Sequence, residues 1–401
     1  MILFEAGRKK EHGKNILNVG TRELKRIVSN PLYLFGTIIL PLLSFFIFWA
    51  IFFRGVPQEL PVAVCDSDHT ALSRKLVRML DASSTINIAF SVNDLETAQR
   101  YIREGKVYAV VAFQKGLERD AYTGKAPLVV SYYNNDFLLL GSLINRSIRN
   151  VITTASAQIS LPFIRGKGTS ALAAPEILDP IKVDVHQLFN PYLNYTYFLV
   201  SAFLPTMLQI FMLVMTIYAL GIEFKDGTAR EWHTCGGGHT WKALLGKLLP
   251  YTAIFIALSL FMNNFLFRYL GVPFRGSVLS LVLAGVFFVL ACQAIGVVII
   301  TITANLRLSL SVAAFFSSTA FAFVGVTFPM EGMPWPARSW AMLLPLTHYL
   351  KVFTNQAVRG GSMVYDLVPF LVLVGMALLL PIYPAIRMRE LMTNEKYWGR
   401  I

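Results

Sequence analysis

Apolar residues gather into six runs along the chain, at 32–53, 197–222, 244–267, 278–304, 308–328 and 367–388. Each is long enough for a helix to cross a bilayer, which takes roughly 20 residues. Polar positions inside them are few: Pro205 and Gln209 in the second run, Asn263 and Asn264 in the third, Gln293 near Gly296 in the fourth. Such groups must face protein or water. The fifth run carries Ser309, Ser311, Ser317, Ser318 and Thr319, small residues that permit close helix packing. Between the first and second runs the period changes. Residues 60–65, 86–90, 107–113 and 128–133 read as strands. Residues 71–80, 94–104 and 134–163 read as helices, the second capped by Asn93 or Asp94. This order predicts a small α/β domain with helices against a sheet. Residues 165–170 read as a flexible break, and 181–195 as an extended return to the membrane around Asn190 and Pro191.

Ahead of the first run, Leu17, Leu24, Ile27 and Val28 fall near helical spacing, with Arg22, Lys25 and Arg26 on other faces. That pattern predicts an interfacial amphipathic helix, ended before Pro31. Beyond the fifth run, Pro329, Pro334 and Pro336 break residues 329–366 into apolar pieces at 340–344 and 346–358, too short to span. They read as a re-entrant hairpin whose free backbone groups protein must cover. The fold class expected is a polytopic α-helical membrane protein. It has six transmembrane helices, an N-terminal interfacial helix, a re-entrant external hairpin and an inserted α/β domain.

Composition supports a membrane class: 55% of the residues are hydrophobic, and the mean hydropathy is +0.55. The formal charge of +13 changes the picture only through its placement. Of the basic residues outside 54–196, sixteen fall in the two tails, the 223–243 loop and its surroundings, and Arg307, against five in the opposite loops. The positive-inside rule then places both termini in the cytoplasm. Residues 54–196 hold fifteen basic and thirteen acidic side chains, nearly neutral, so the charge is a topology signal and nucleic acid is not expected as a partner. The expected layout is a cytosolic tail and interfacial helix at 1–31, a first span at 32–53 and an extracytoplasmic α/β domain at 54–196. A five-helix membrane domain follows at 197–388, with a cytosolic loop at 223–243 and an external segment at 329–366, then a cytosolic tail at 389–401. Only Cys65 of the three cysteines lies in 54–196, so no disulfide forms within that segment. The polar stretch before the first run predicts an uncleaved signal-anchor.

The stretch 221–251, GIEFKDGTAREWHTCGGGHTWKALLGKLLPY, is short, charged and glycine-rich between two apolar runs. Gly227 and Thr228 can turn and cap a short helix. Its His233, Cys235 and His239 offer three metal-ligand types but no fourth ligand in range, so no metal is expected. A phosphate-cradling G-x4-G-K-[ST] run is absent, since Gly246-Lys247 is followed by Leu and lacks the leading glycine. The chain is therefore not expected to be an enzyme by itself or to hold a cofactor. Asp66 and Asp68 at the end of a strand read as turn and cap residues rather than a catalytic pair.

The acidic residue, Asp-Gly-Thr, Glu and Leu-Gly-Lys-Leu-Leu-Pro of this loop resemble the first cytosolic loop of ABC-2 type permeases. The run TRELKRIVSNPLYLFGTIILPLLSFFIF is similar to the start of that family, with its basic elbow helix, proline and first span. V-x-D-x-D at 64–68 fits the subgroup with an external domain between spans one and two, and M-P-W-P…L-L-P-L-T-H-Y-L…V-R-G-G in 333–361 is similar to the same region of the ABC-2 family. At Cys235-Gly236-Gly237-Gly238-His239 the chain departs from the proline-containing segment frequent in the family.

The resemblance implies a permease subunit of an ATP-driven exporter in a bacterial inner membrane. It implies outward movement of an amphiphile of drug, lipid or glycan class, with ATP and Mg held on separate ABC ATPase subunits. It also implies a homodimer or a heterodimer with a related permease, contact with membrane lipids, and a periplasmic adaptor on the external domain. By the same resemblance Glu223, Lys225, Asp226, Gly227, Thr228, Arg230, Glu231, Trp232 and His233 contact the ATPase, with Glu231, Trp232 and His233 facing it. Leu204, Gln209, Met212, Phe315 and Phe323 line a substrate path where spans two and five meet a second protomer. Two rivals remain: a membrane-anchored receptor or scaffold using the external domain, and an ion-driven transporter, which would need titratable groups in mid-membrane.

Overall fold

A computed structural model describes residues 16–123, 127–134, 138–166, 190 and 193–399, with side chains omitted at 138 and 160–166. The expected flexible break, apart from 165 and 166, which end a helix, and most of the extended return lie outside the described residues. The chain forms two compact units, one of residues 1–53 and 195–401, the other of 54–194. The first unit opens with helix α1 (Ile16–Ser29) and the first span, α2 (Pro31–Phe52). Asn30 separates them in an extended conformation, its side chain accepting the Leu32 N–H at 3.0 Å, with Pro31 at the first helical position.

The 54–194 unit is a four-stranded sheet with helices on both faces. Its elements are β1 (Leu60–Asp66), α3 (Ala71–Asp81), β2 (Ile86–Val92), α4 (Leu95–Arg103), β3 (Ala109–Phe113), α5 (Leu117–Tyr122), β4 (Val129–Tyr133) and α6 (Leu138–Gly166). The strand order is β2-β1-β3-β4, with β1 parallel to both neighbours and β4 antiparallel to β3. On one face Val62, Val64, Ala109 and Val111 pack against Leu72, Leu76 and Leu80 of α3 and Ile144 and Ile148 of α6. On the other, Ala63, Cys65 and Val110 meet Ala98 of α4. Helix α5 is an addition to the expected order. Gly116 precedes it with φ 88°, a left-handed conformation suited to glycine. Asp68 fastens it, accepting the Gly116 N–H at 2.6 Å and the Glu118 N–H at 3.0 Å. Asp66 accepts the N–H groups of Asp68 and His69 and the Ser73 hydroxyl. Both carboxylates are occupied as caps, as the sequence suggests.

The first unit resumes with span α7 (Thr196–Lys225), short helix α8 (Ala229–Cys235) and spans α9 (Thr240–Tyr269), α10 (Val278–Thr303) and α11 (Leu306–Phe323). Helices α12 (Trp335–Leu343) and α13 (Pro345–Phe353) follow, then α14 (Leu367–Leu379) and α15 (Ile382–Thr393) within the sixth span, Met363–Thr393. The fifth span stops at Phe323, short of the expected 328, because Gly325 takes φ 87° and the chain turns. Helices α7 and α10 are the centre of the unit, with 61% and 72% of their apolar windows buried against 17% for the first and sixth spans. They meet through small residues: a Cβ on Gly296 would lie 2.9 Å from Thr216 Cγ2. Helix α13 is buried along nearly its whole length, Tyr349 donating to Asn263 Oδ1 of α9 at 3.0 Å. Protein therefore covers α13, as the re-entrant reading requires, whereas α12 is mostly exposed and buries only Ala341.

Candidate functional site

The loop joining α7 to α9 is built by its glycines. Gly227 adopts φ 73° and lets the chain reverse after Lys225. Thr228 stands at the start of α8, but its hydroxyl donates to the Glu223 carboxylate instead of capping the helix. At the other end, Gly236 lies against the first turn of α9, where a Cβ would come within 2.7 Å of Ala243 Cβ and 2.8 Å of its backbone nitrogen. Gly237 and Gly238 have φ 72° and 75°, and their N–H groups reach back to the carbonyls of Thr234 and His233 at 3.0 Å each. The Cys-Gly-Gly-Gly-His run thus folds α8 tightly onto α9. Trp232 locks the fold: it is fully buried, its indole N–H donates to the Ala243 carbonyl at 2.9 Å, and its ring centroid lies 5.3 Å from Lys247 Nζ.

Behind this loop sits a buried charge cluster. Glu223 near the end of α7, Glu23 of α1 and Lys247 of α9 all have fully buried side chains. Lys247 Nζ bridges the two carboxylates, 2.6 Å from Glu23 and 2.8 Å from Glu223. Arg22 donates to both Glu223 oxygens at 3.2 Å. Arg26 reaches Glu223 at 2.5 Å and Glu23 at 3.2 Å. The Tyr251 hydroxyl approaches Glu23 at 3.4 Å. Burial works to lower the Arg26 pKa, but the carboxylates of Glu223 and Glu23 outweigh it and hold the guanidinium more firmly protonated than usual. A buried charge is tolerable only when paired and hydrogen-bonded, and here three cations meet two carboxylates. The backbones come close enough for this because α1 crosses α9 at a glycine: a Cβ on Gly246 would lie 2.6 Å from the Ile16 carbonyl oxygen. The cluster therefore welds α1, α7, the start of α8 and α9 into one body.

The structure sorts the loop residues named from the sequence. Lys225, Asp226, Gly227, Arg230 and Glu231 are exposed, and Thr228 and His233 half-buried. Glu223 and Trp232 are buried and face inward, so Trp232 does not present its ring to an outside partner as expected; both brace the loop from behind. Burial, with Arg389 and His239 nearby, pushes His233 below its usual 6.5 and favours the neutral ring. Of the path residues, Leu204, Gln209 and Met212 are fully buried in the protomer's own core, where α7 is the central helix, and line no surface for a second copy. Phe323 packs against that core, while Phe315 is exposed on α11. Among the described residues, no three His, Cys, Asp or Glu side chains are grouped to hold a metal ion. The sequence reading missed Glu23 and Tyr251 altogether, placed Arg22 and Arg26 on the polar faces of an interfacial helix, and weighed Lys247 as part of an absent phosphate loop. The signal available was Glu23 facing the same side as Ile27, one turn apart on a helix.

The family model described as "ABC-2 family transporter protein" matches residues 31–382. The chain is also similar to the "Probable multidrug ABC transporter permease YbhS" of Escherichia coli (strain K12). The two are 24% identical over 379 residues, covering 89% of this chain and 92% of the relative. The protein of that name from Escherichia coli O157:H7 matches equally.

Proposed function

We propose, from the premise that the chain belongs to the ABC-2 family of transporter proteins, that it exports an amphiphilic substrate outward across a bacterial inner membrane. The chain is an ABC transporter permease with six candidate membrane-spanning helices, and its family works with an ABC ATPase subunit. ATP and Mg belong to that separate subunit, and α8 is where its motion enters. The observation that carries this reading is the buried cluster. A short helix can pass force to spans only if it moves with them, and Glu223, Lys247, Glu23 and Arg26 tie the ends of α7 and α9 to α1 beneath it. The exposed Arg230 and Glu231 on α8 are the contacts offered to the ATPase.

In this reading both termini are cytoplasmic, α1 is the elbow helix, and the 54–194 unit is extracytoplasmic and meets a periplasmic adaptor. Leu17, Leu24 and Val28 of α1 stand exposed as an apolar stripe suited to the acyl boundary. A second permease copy packs on the face of α11 formed by Leu308, Ser311, Val312, Phe315 and Ser318, where small and apolar residues alternate in the open. The YbhS name supports a drug-class amphiphile. Affinity purification of the tagged chain from its own membranes tests the reading: an ABC ATPase should co-purify, and charge reversal at Arg230 and Glu231 together should release it without lowering the thermal midpoint. Recovery of the chain with no ATPase, or ATP turnover by the chain alone, would overturn it.

A further inference from the structure

At the end of the membrane unit opposite α8, an open cavity of about 840 Å³ lies between the α11–α12 connection, α13 with the turn that follows it, and the start of the sixth span. Its walls differ in character. Val326 and Met330 on one side and Val368 on the other are apolar. Lys351, Thr354 and Arg359 line it from α13 and its continuation. Neither Lys351 nor Arg359 has an ion-pair or hydrogen-bond partner among the described residues. Glu331 is the only acid among the described lining residues, so the cavity carries an excess of positive charge. Its apolar side is open: Val368, which lines it, is 70% exposed, and Val364 and Leu367 beside it in the chain are 75% and 56% exposed. Loops at this end are poor in basic residues, which makes two unpaired cations beside a lipid-level rim unusual. A cavity of this volume suits a ligand of drug or lipid-headgroup size. An arginine and a lysine beside an apolar wall match a phosphate or carboxylate carried on a hydrocarbon chain.

We propose that this cavity binds an anionic amphiphile, its acid group on Lys351 and Arg359 and its chain along Val326, Met330 and Val368 towards the bilayer. Its location at the outer face rests on the export reading; the binding itself does not. The ligand is either bilayer lipid or cargo on its way out, and the same chemistry serves both.

The test uses full-length protein in detergent, with native mass spectrometry after exchange into dioleoylphosphatidylglycerol or dioleoylphosphatidylcholine. Wild type should retain one phosphatidylglycerol per chain with at least about tenfold preference over phosphatidylcholine, about 1.4 kcal/mol. K351Q/R359Q should lose that preference, and V368W, which fills the cavity from its apolar side, should lose the bound lipid. All three positions are exposed, so both variants should melt as wild type does. Dodecyl phosphate separates the sources. If it displaces the lipid and raises ATP turnover of the assembled complex, the site takes cargo; if the lipid stays and turnover is unchanged, the site holds bilayer lipid. Equal retention of the two phospholipids by wild type, or an undiminished preference in both variants, would overturn the proposal. Because the binding assay contains no ATPase, that failure is distinct from failure of the export reading.

Discussion

Glu223→Gln keeps the shape of the side chain and removes its charge, leaving Arg22, Arg26 and Lys247 to share Glu23 alone. In the native cluster Glu223 accepts from Lys247 at 2.8 Å, Arg26 at 2.5 Å, Arg22 at 3.2 Å and the Thr228 hydroxyl. Deleting one partner of a buried ion pair costs about 3–5 kcal/mol, because the other charge stays buried and unpaired. The arginines here are 27% and 25% exposed and can draw on water, which argues for the low end of that range. A loss of about 3 kcal/mol in a unit of this size lowers the thermal midpoint by roughly 6–12 °C. The assay is intrinsic tryptophan fluorescence of the detergent-purified protein at a fixed heating rate. Adding Lys247→Met to Glu223→Gln removes one of three cations left on a single carboxylate, so the double variant should recover part of the loss, with a coupling of about 1–3 kcal/mol. A single variant melting within about 2 °C of wild type would refute the reasoning, as would strictly additive losses.

Three further outcomes follow from the same geometry. Gly246→Ala places a methyl 2.6 Å from the Ile16 carbonyl and should push α1 off α9, costing about 1–3 kcal/mol and exposing residues 16–29 to protease. Trp232→Ala should cost about 3–5 kcal/mol by emptying the space between α8 and α9, and should weaken ATPase association although Trp232 touches no partner. In the 54–194 unit, burial pushes the Asp68 carboxyl up, but hydrogen bonds from Thr70, Gly116 and Glu118 outweigh it and hold the group below its ordinary 3.8. A lowered folded pKa adds stability above the unfolded value that is lost as pH falls through the folded one. The melting of this unit should therefore weaken below about pH 4 in wild type, and Asp68→Asn should flatten that limb while destabilising the unit at pH 7.

The spans were legible because hydrocarbon leaves a helix no choice: each apolar run of the right length became a crossing within a few residues. The alternating unit was legible for the same kind of reason, Leu72, Leu76 and Leu80 marking a helix face and Val107–Phe113 a strand; β3 itself begins at Ala109. Helix α5 was not, since LERDAY is short and polar and is held by Asp68, a contact across 48 residues to Gly116. The charge cluster was hidden more deeply. Lys247 in Leu-Gly-Lys-Leu-Leu looks like an interfacial cation, and Glu23 in Arg-Glu-Leu-Lys-Arg looks like a tail residue. Only the pairing across 224 residues makes both internal. Gln209 and Met212, placed on a substrate path by the family resemblance, are buried inside the protomer because α7 is its central helix. The glycine run at 236–238 read as a departure from the family; Gly236 is needed where a Cβ would meet Ala243, and Gly237 and Gly238 take positive φ.

Cys235 offers the most direct measurement, because it is exposed at the end of α8 while Cys65 and Cys292 are buried. Labelling of the wild-type protein with a membrane-impermeant maleimide compares right-side-out with inside-out membrane vesicles. If α8 receives work from a cytosolic ATPase, Cys235 labels only in inside-out vesicles, and the bound ATPase protects it. Labelling in right-side-out vesicles, or labelling that the ATPase leaves unchanged, would contradict the account.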